Sequence, residues 1–96
     1  MFKRQLRIDL AEIVTEIELA VQEKDPALAS RPTHTLKGLA GTYGMKELSD
    51  LAYETHELIK SGSQDQAQPK TDETLKLARA YLDQLDDLFE RIKRAA

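Results

Sequence analysis

The chain holds two imidazoles, and one of them, His34, lies in a run whose other residues bear directly on its chemistry. Lys37, Gly38 and Gly41 follow it by three, four and seven residues, a spacing that gathers all four on one side of a helix. The core side of that stretch is marked by Ala29, Leu36, Leu39, Ala40 and Tyr43. At about 100° per residue His34 is therefore predicted to point away from the core and into water.

Two glycines inside a helix each cost roughly 1 kcal/mol relative to Ala, so helix formation alone does not select Gly38 and Gly41. They provide clearance. With no side chain one and two turns beyond the imidazole, a large partner surface can approach the ring closely. A neutral imidazole is a nucleophile, and Lys37, on the adjacent edge of the same face, can reach a dianionic group attached to it. An exposed His with a flanking cation and a bare approach surface describes a phosphoryl acceptor whose active site is completed by another protein.

The gross composition narrows the alternatives. Ninety-six residues are expected to form one domain, residues 1–96, with a single modest core. Low aromatic content, no Trp and many Ala and Leu favour helices packed on helices. The absence of Cys excludes disulfides, a thiolate nucleophile and Cys-based zinc sites. No apolar run approaches the roughly 20 residues of a membrane span, and the first residues mix acidic with basic side chains, unlike a signal peptide. The expected location is cytoplasmic, without membrane attachment. With 14 Lys and Arg against 17 Asp and Glu, interspersed, nucleic acid is not an expected partner.

The elements that must position His34 can be read from periodicity. Phe2, Leu6, Leu10, Ile13, Val14, Ile17 and Val21 form one stripe, predicting a helix over about 2–24 that Asp25-Pro26 ends. Pro32 suits the first turn of a second helix over 30–42, with Ser30 as its cap. Gly44 suits a left-handed turn residue, after which Leu48, Leu51, Ala52, Leu58 and Ile59 predict a third helix over 46–60. The polar stretch 61–70, SGSQDQAQPK, reads as a solvated loop. Thr71 or Asp72 then caps a fourth helix over 72–94, whose stripe is Leu75, Ala78, Leu82, Leu85, Phe89 and Ile92. The expected fold is all-α, an antiparallel up-down four-helix bundle.

The run His34-Thr35-Leu36-Lys37-Gly38-Leu39-Ala40, followed by Gly44, resembles the signature of histidine-containing phosphotransfer (HPt) domains. The segment Ala40-Gly41-Thr42-Tyr43-Gly44 is also similar to the acceptor domain of the chemotaxis kinase CheA. The resemblance implies a phosphorelay carrier in two-component signal transduction. His34 would accept a phosphoryl group on its distal ring nitrogen, from the aspartyl phosphate of a receiver domain or from a histidine kinase. It would then pass the group to an Asp of a response regulator. By the same likeness Lys37 stabilises the phosphoryl charge and Gly38 leaves room for the receiver. The chain would need no cofactor of its own, the Mg2+ being held by the partner receiver, and would act as a monomer and not as an enzyme.

In such domains the third-helix position facing the acceptor ring is commonly Gln, or Glu in the chemotaxis kinase; here, 22 residues after His34, it is His56. The expectation is that His56 accepts a hydrogen bond from the proximal nitrogen of His34 and fixes the tautomer that leaves the distal nitrogen free. Leu19, with Thr15 and Gln22 beside it and Ile8 further along, lies opposite the core stripe of the first helix and is a candidate docking position for a receiver. Other readings are a His34/His56 metal site lacking a third ligand, and a non-catalytic helical scaffold or degenerate HPt module, which leaves Gly38 and Gly41 without a reason. A nucleotide-binding enzyme has no phosphate-cradling Gly pattern here, and a helix-turn-helix around Gly41 to Tyr53 conflicts with the acidic balance.

Overall fold

The computed structural model describes residues 2–95, with side chains from Arg4 to Ala95. Four α-helices follow one another: α1 (Phe2–Gln22), α2 (Ser30–Thr42), α3 (Lys46–Lys60) and α4 (Gln64–Ala95), with a 3-10 turn, Pro26–Ala29, leading directly into α2. Helices α1 and α3 each pack on both α2 and α4, which closes a four-helix bundle. Its core is built from Leu6, Leu10, Ile13 and Ile17 of α1, Leu36 and Ala40 of α2, Leu48 and Ala52 of α3, and Leu75 and Ala78 of α4. Leu10, Ile17, Leu36 and Leu48 are fully buried, each stabilising the fold by about 1.5–3 kcal/mol relative to an exposed side chain. The expectation for the Phe2 side chain lies outside the described residues.

The first three helices end by the same device. The N–H of Asp25, Met45 and Ser63 each reaches back to the carbonyl of Ala20, Ala40 and Leu58, at 3.0, 2.8 and 3.1 Å. The residue before each is left-handed: Lys24 (φ 52°), Gly44 (φ 74°) and Gly62 (φ 78°). This pairing satisfies carbonyls at a helix end and requires the left-handed residue that glycine supplies most easily. Helix α1 therefore stops at Gln22, two residues short of the predicted end, because Lys24 is the turn residue.

Three sequence expectations are corrected. Ser30 is not a side-chain cap; Asp25 caps the 3-10 turn instead, its Oδ1 accepting from Ala27 N–H at 3.2 Å, and the turn runs without a gap into α2. Residues 64–70 are not loop but the first two turns of α4, so neither Thr71 nor Asp72 caps it. Ser63 begins that helix, its carbonyl accepting from Gln66 and Ala67 N–H. Tertiary burial decides this: Ala67 is fully buried beside Pro26 and Ile59, and the Thr71 hydroxyl donates to the Ala67 carbonyl at 2.7 Å. Pro69 is tolerated because it faces solvent near the helix start, where only one ladder bond is lost.

The third correction concerns Ile92, which is 54% exposed and not part of the core stripe. Helix α4 has 32 residues, about 48 Å at 1.5 Å per residue. It spans the 49 Å long axis alone, whereas α1 has 21 residues, so the last turns of α4 outrun their packing partners. Two ion pairs hold α4 to α1, Arg7 with Asp86 (2.7 Å) and Arg79 with Glu18.

Candidate functional site

His34 is placed by the second turn of α2. Pro32 and Thr33, immediately before it, are buried, and Leu36 is fully buried two residues later, so the helix phase turns His34 outward. It is exposed, as are Lys37, Gly38 and Gly41. A Cβ added to Gly38 would meet nothing within 4 Å, so the fold itself makes no demand for glycine there. At Gly41 it would come to contact distance, 3.4 Å, of the Ser49 hydroxyl. Both glycines thus leave bare backbone on the outward face.

Helices α2 and α3 run antiparallel, joined by Tyr43, Gly44 and Met45, and their facing side chains form rungs. His34 meets His56, Lys37 meets Tyr53, and Gly41 meets Ser49; each step along α2 is matched by an equal step back along α3. The imidazole centroids are 5.2 Å apart with planes tilted by 45°. The Lys37 ammonium lies 5.1 Å from the centroid of the Tyr53 ring. Ser49 Oγ donates to the Lys37 carbonyl at 2.9 Å, tying the helices together beside the site.

His56 is half-buried and anchored from below: its Nδ1 is 3.0 Å from the Ser30 carbonyl and 3.4 Å from Thr33 Oγ1. A carbonyl oxygen only accepts, so Nδ1 of His56 carries the proton and donates. In the neutral ring Nε2 then holds the lone pair. Among the described residues no hydrogen bond joins His34 to His56, so the expected bond between the two rings is not made here. The Glu57 carboxylate turns outward to Lys60, at 3.4 Å.

On α1, Thr15, Leu19 and Gln22 are all exposed, Leu19 at 51%, and the Thr15 hydroxyl donates back to the Ala11 carbonyl at 3.0 Å. Ile8 is exposed further along. Leu28, in the 3-10 turn six residues before His34, is a further exposed apolar side chain that periodicity did not single out. Tyr53 was also missed. Its signal was present in the sequence, since it precedes His56 by the same three residues that separate His34 from Lys37.

Among the described residues no group of three or more His, Asp or Glu is placed to hold a metal ion, and no helix is long and apolar enough to cross a membrane. A family model described as "Hpt domain" matches residues 1–95. Neither a curated protein nor a solved structure gives a significant match.

Proposed function

This chain belongs to the Hpt domain family, whose members are phosphorelay carriers of two-component signalling, and from that premise we propose that His34 is its phosphoacceptor. The observation that carries this is the exposure of the His34 imidazole beside the bare backbone of Gly38 on the outer face of α2. The distal nitrogen Nε2 attacks the phosphorus of an aspartyl phosphate on a receiver domain. A P–N bond forms as the P–O bond to the aspartyl carboxylate breaks, and the carboxylate leaves with the electron pair. Transfer to a response regulator is the same step in reverse.

The ring of His34 gains positive charge as the P–N bond forms, and its Nδ1 keeps its proton. His56 is the group placed to respond, because the Ser30 carbonyl engages its Nδ1 and leaves the Nε2 lone pair as an acceptor. Rotation of the His34 ring from the present 5.2 Å arrangement, with His56 kept on the Ser30 carbonyl, would bring the Nδ1–H of His34 to that lone pair. His56 is therefore a positioning residue that selects the reactive tautomer.

Lys37 supplies charge to the transferred phosphoryl group. The divalent cation such a transfer uses is taken, by likeness to the family, to be held by the receiver. Gly38 and Gly41 admit the receiver surface, and Leu19, with Thr15, Gln22 and Leu28, offers it an apolar contact flanked by polar groups.

The test is transfer from phosphorylated receivers, or from a histidine kinase, to the chain, followed as acid-labile label. His34→Gln must abolish labelling while leaving the helical content unchanged. Label that persists in His34→Gln would overturn the assignment.

A further inference from the structure

The Lys37 ammonium has an unusual neighbour for a lysine on a surface carrying 17 carboxylate side chains. Among the described residues it makes no ion pair, and it lies over the face of Tyr53 instead. The α3 carboxylates flanking that ring have cations of their own: Asp50 is paired with Lys46 at 2.8 Å, Glu54 with Lys70 at 3.9 Å, and Glu57 with Lys60 at 3.4 Å. A carboxylate partner would localise Lys37 by neutralising it. An aromatic face localises a cation through its quadrupole and leaves the net charge intact.

We propose that Tyr53 is a positioning residue for phosphotransfer, whose ring holds the Lys37 ammonium beside His34 with its charge undiminished for the incoming phosphoryl group. Lys37 is held at both ends. Ser49 fixes its backbone through the carbonyl at 2.9 Å, and Tyr53 fixes the tip of its flexible stem. A lysine side chain carries large rotamer entropy, which must be given up when the ammonium meets phosphate; holding it over the ring lowers that loss in the transition state. The ring face, and not the hydroxyl, is the active element. The proposal rests on His34 being the acceptor.

The experiment compares Tyr53→Phe, Tyr53→Leu, Lys37→Gln and the Tyr53→Leu/Lys37→Gln double variant in single-turnover transfer from a phosphorylated receiver over a range of receiver concentrations. Cation–aromatic contacts at exposed sites are worth a factor of about two to five, so Tyr53→Leu is expected to lower the maximal transfer rate by that factor with the half-saturating concentration unchanged. Tyr53→Phe should retain the parent rate. In the double variant the Tyr53 effect should vanish, because the residue acts only through Lys37. The ring-current shift of the Lys37 ε-methylene protons should be present in the parent and in Tyr53→Phe, and lost in Tyr53→Leu.

A Tyr53→Leu protein that transfers at the parent rate overturns the proposal, as do effects of Tyr53 and Lys37 that add in the double variant. A rise in half-saturating concentration alone makes Tyr53 a docking contact and also overturns it. If the parent itself takes no label on His34, the acceptor assignment fails first; the ring-current measurement then still shows whether Tyr53 holds Lys37, so the two failures are told apart.

Discussion

Nδ1 of His56 is 3.0 Å from the carbonyl oxygen of Ser30, while the ring of His56 stands 5.2 Å from that of His34. The backbone of α2 thereby sets the tautomer of an imidazole on α3, and that imidazole faces His34, the proposed acceptor, back on α2.

Substitutions of His56 test that arrangement. In His56→Gln the carboxamide oxygen can accept the Nδ1–H of His34 in place of the imidazole, so transfer should stay close to the parent rate. His56→Ala should transfer about two- to tenfold more slowly than the parent at neutral pH, the worth of one hydrogen bond of about 0.5–1.5 kcal/mol. A His56→Ala protein that transfers at the parent rate would remove His56 from the mechanism.

Gly38 separates stability from function. Since a Cβ there meets nothing within 4 Å, Gly38→Ala should stabilise the chain by up to about 1 kcal/mol through helix propensity. The same methyl group should slow transfer between His34 and a receiver, because it stands one turn from the ring. Urea denaturation and transfer kinetics on a single preparation check both signs.

The α3–α4 contact contains a buried hydroxyl pair, Thr55 Oγ1 and Thr74 Oγ1, 2.8 Å apart, with the Lys70 carbonyl accepting from Thr74 at 2.8 Å. Both threonines are fully buried. Thr74→Val should destabilise the bundle by about 0.5–1.5 kcal/mol through loss of this bond, the Thr55 hydroxyl keeping the Leu51 carbonyl as its acceptor at 2.8 Å. Thr55→Val/Thr74→Val together should lose less than the separate effects combined. Additive losses in thermal or urea unfolding would show that the two hydroxyls do not act as a unit.

Lys24 is the one non-glycine among the three left-handed turn residues that end α1, α2 and α3. A left-handed conformation costs an L-residue roughly 1–2 kcal/mol, partly offset for glycine by its greater freedom in the unfolded chain. Lys24→Gly should therefore raise the unfolding midpoint modestly, and Gly44→Ala should lower it by more. The opposite order in denaturant titrations would be inconsistent with the turn geometry.

Much of this molecule follows from local rules. The stripes of Leu, Ile and Val at helical spacing, Gly44 and Gly62 at helix ends and Pro26 after α1 act over four or five residues, and the helices they mark are the ones observed. The outward placement of His34, Lys37, Gly38 and Gly41 follows in the same way, since it depends only on the phase of α2 relative to Leu36 and Ala40. These features were legible because helical hydrogen bonds and side-chain neighbours are close in sequence.

What tertiary structure decided lies wherever two distant segments meet. Residues 64–70 carry no periodic signal and are helical because Ala67 finds a buried place beside Pro26. Ile92 keeps the spacing of a core residue yet is exposed because no neighbouring helix extends that far. The facing of His56 toward His34 was expected only through the family resemblance, and Tyr53 then follows from it by equal spacing; that these side chains meet depends on the register between α2 and α3, which packing across the helix pair sets. The amino-acid sequence determined which groups can do chemistry and which way they face; packing alone determined which of them touch.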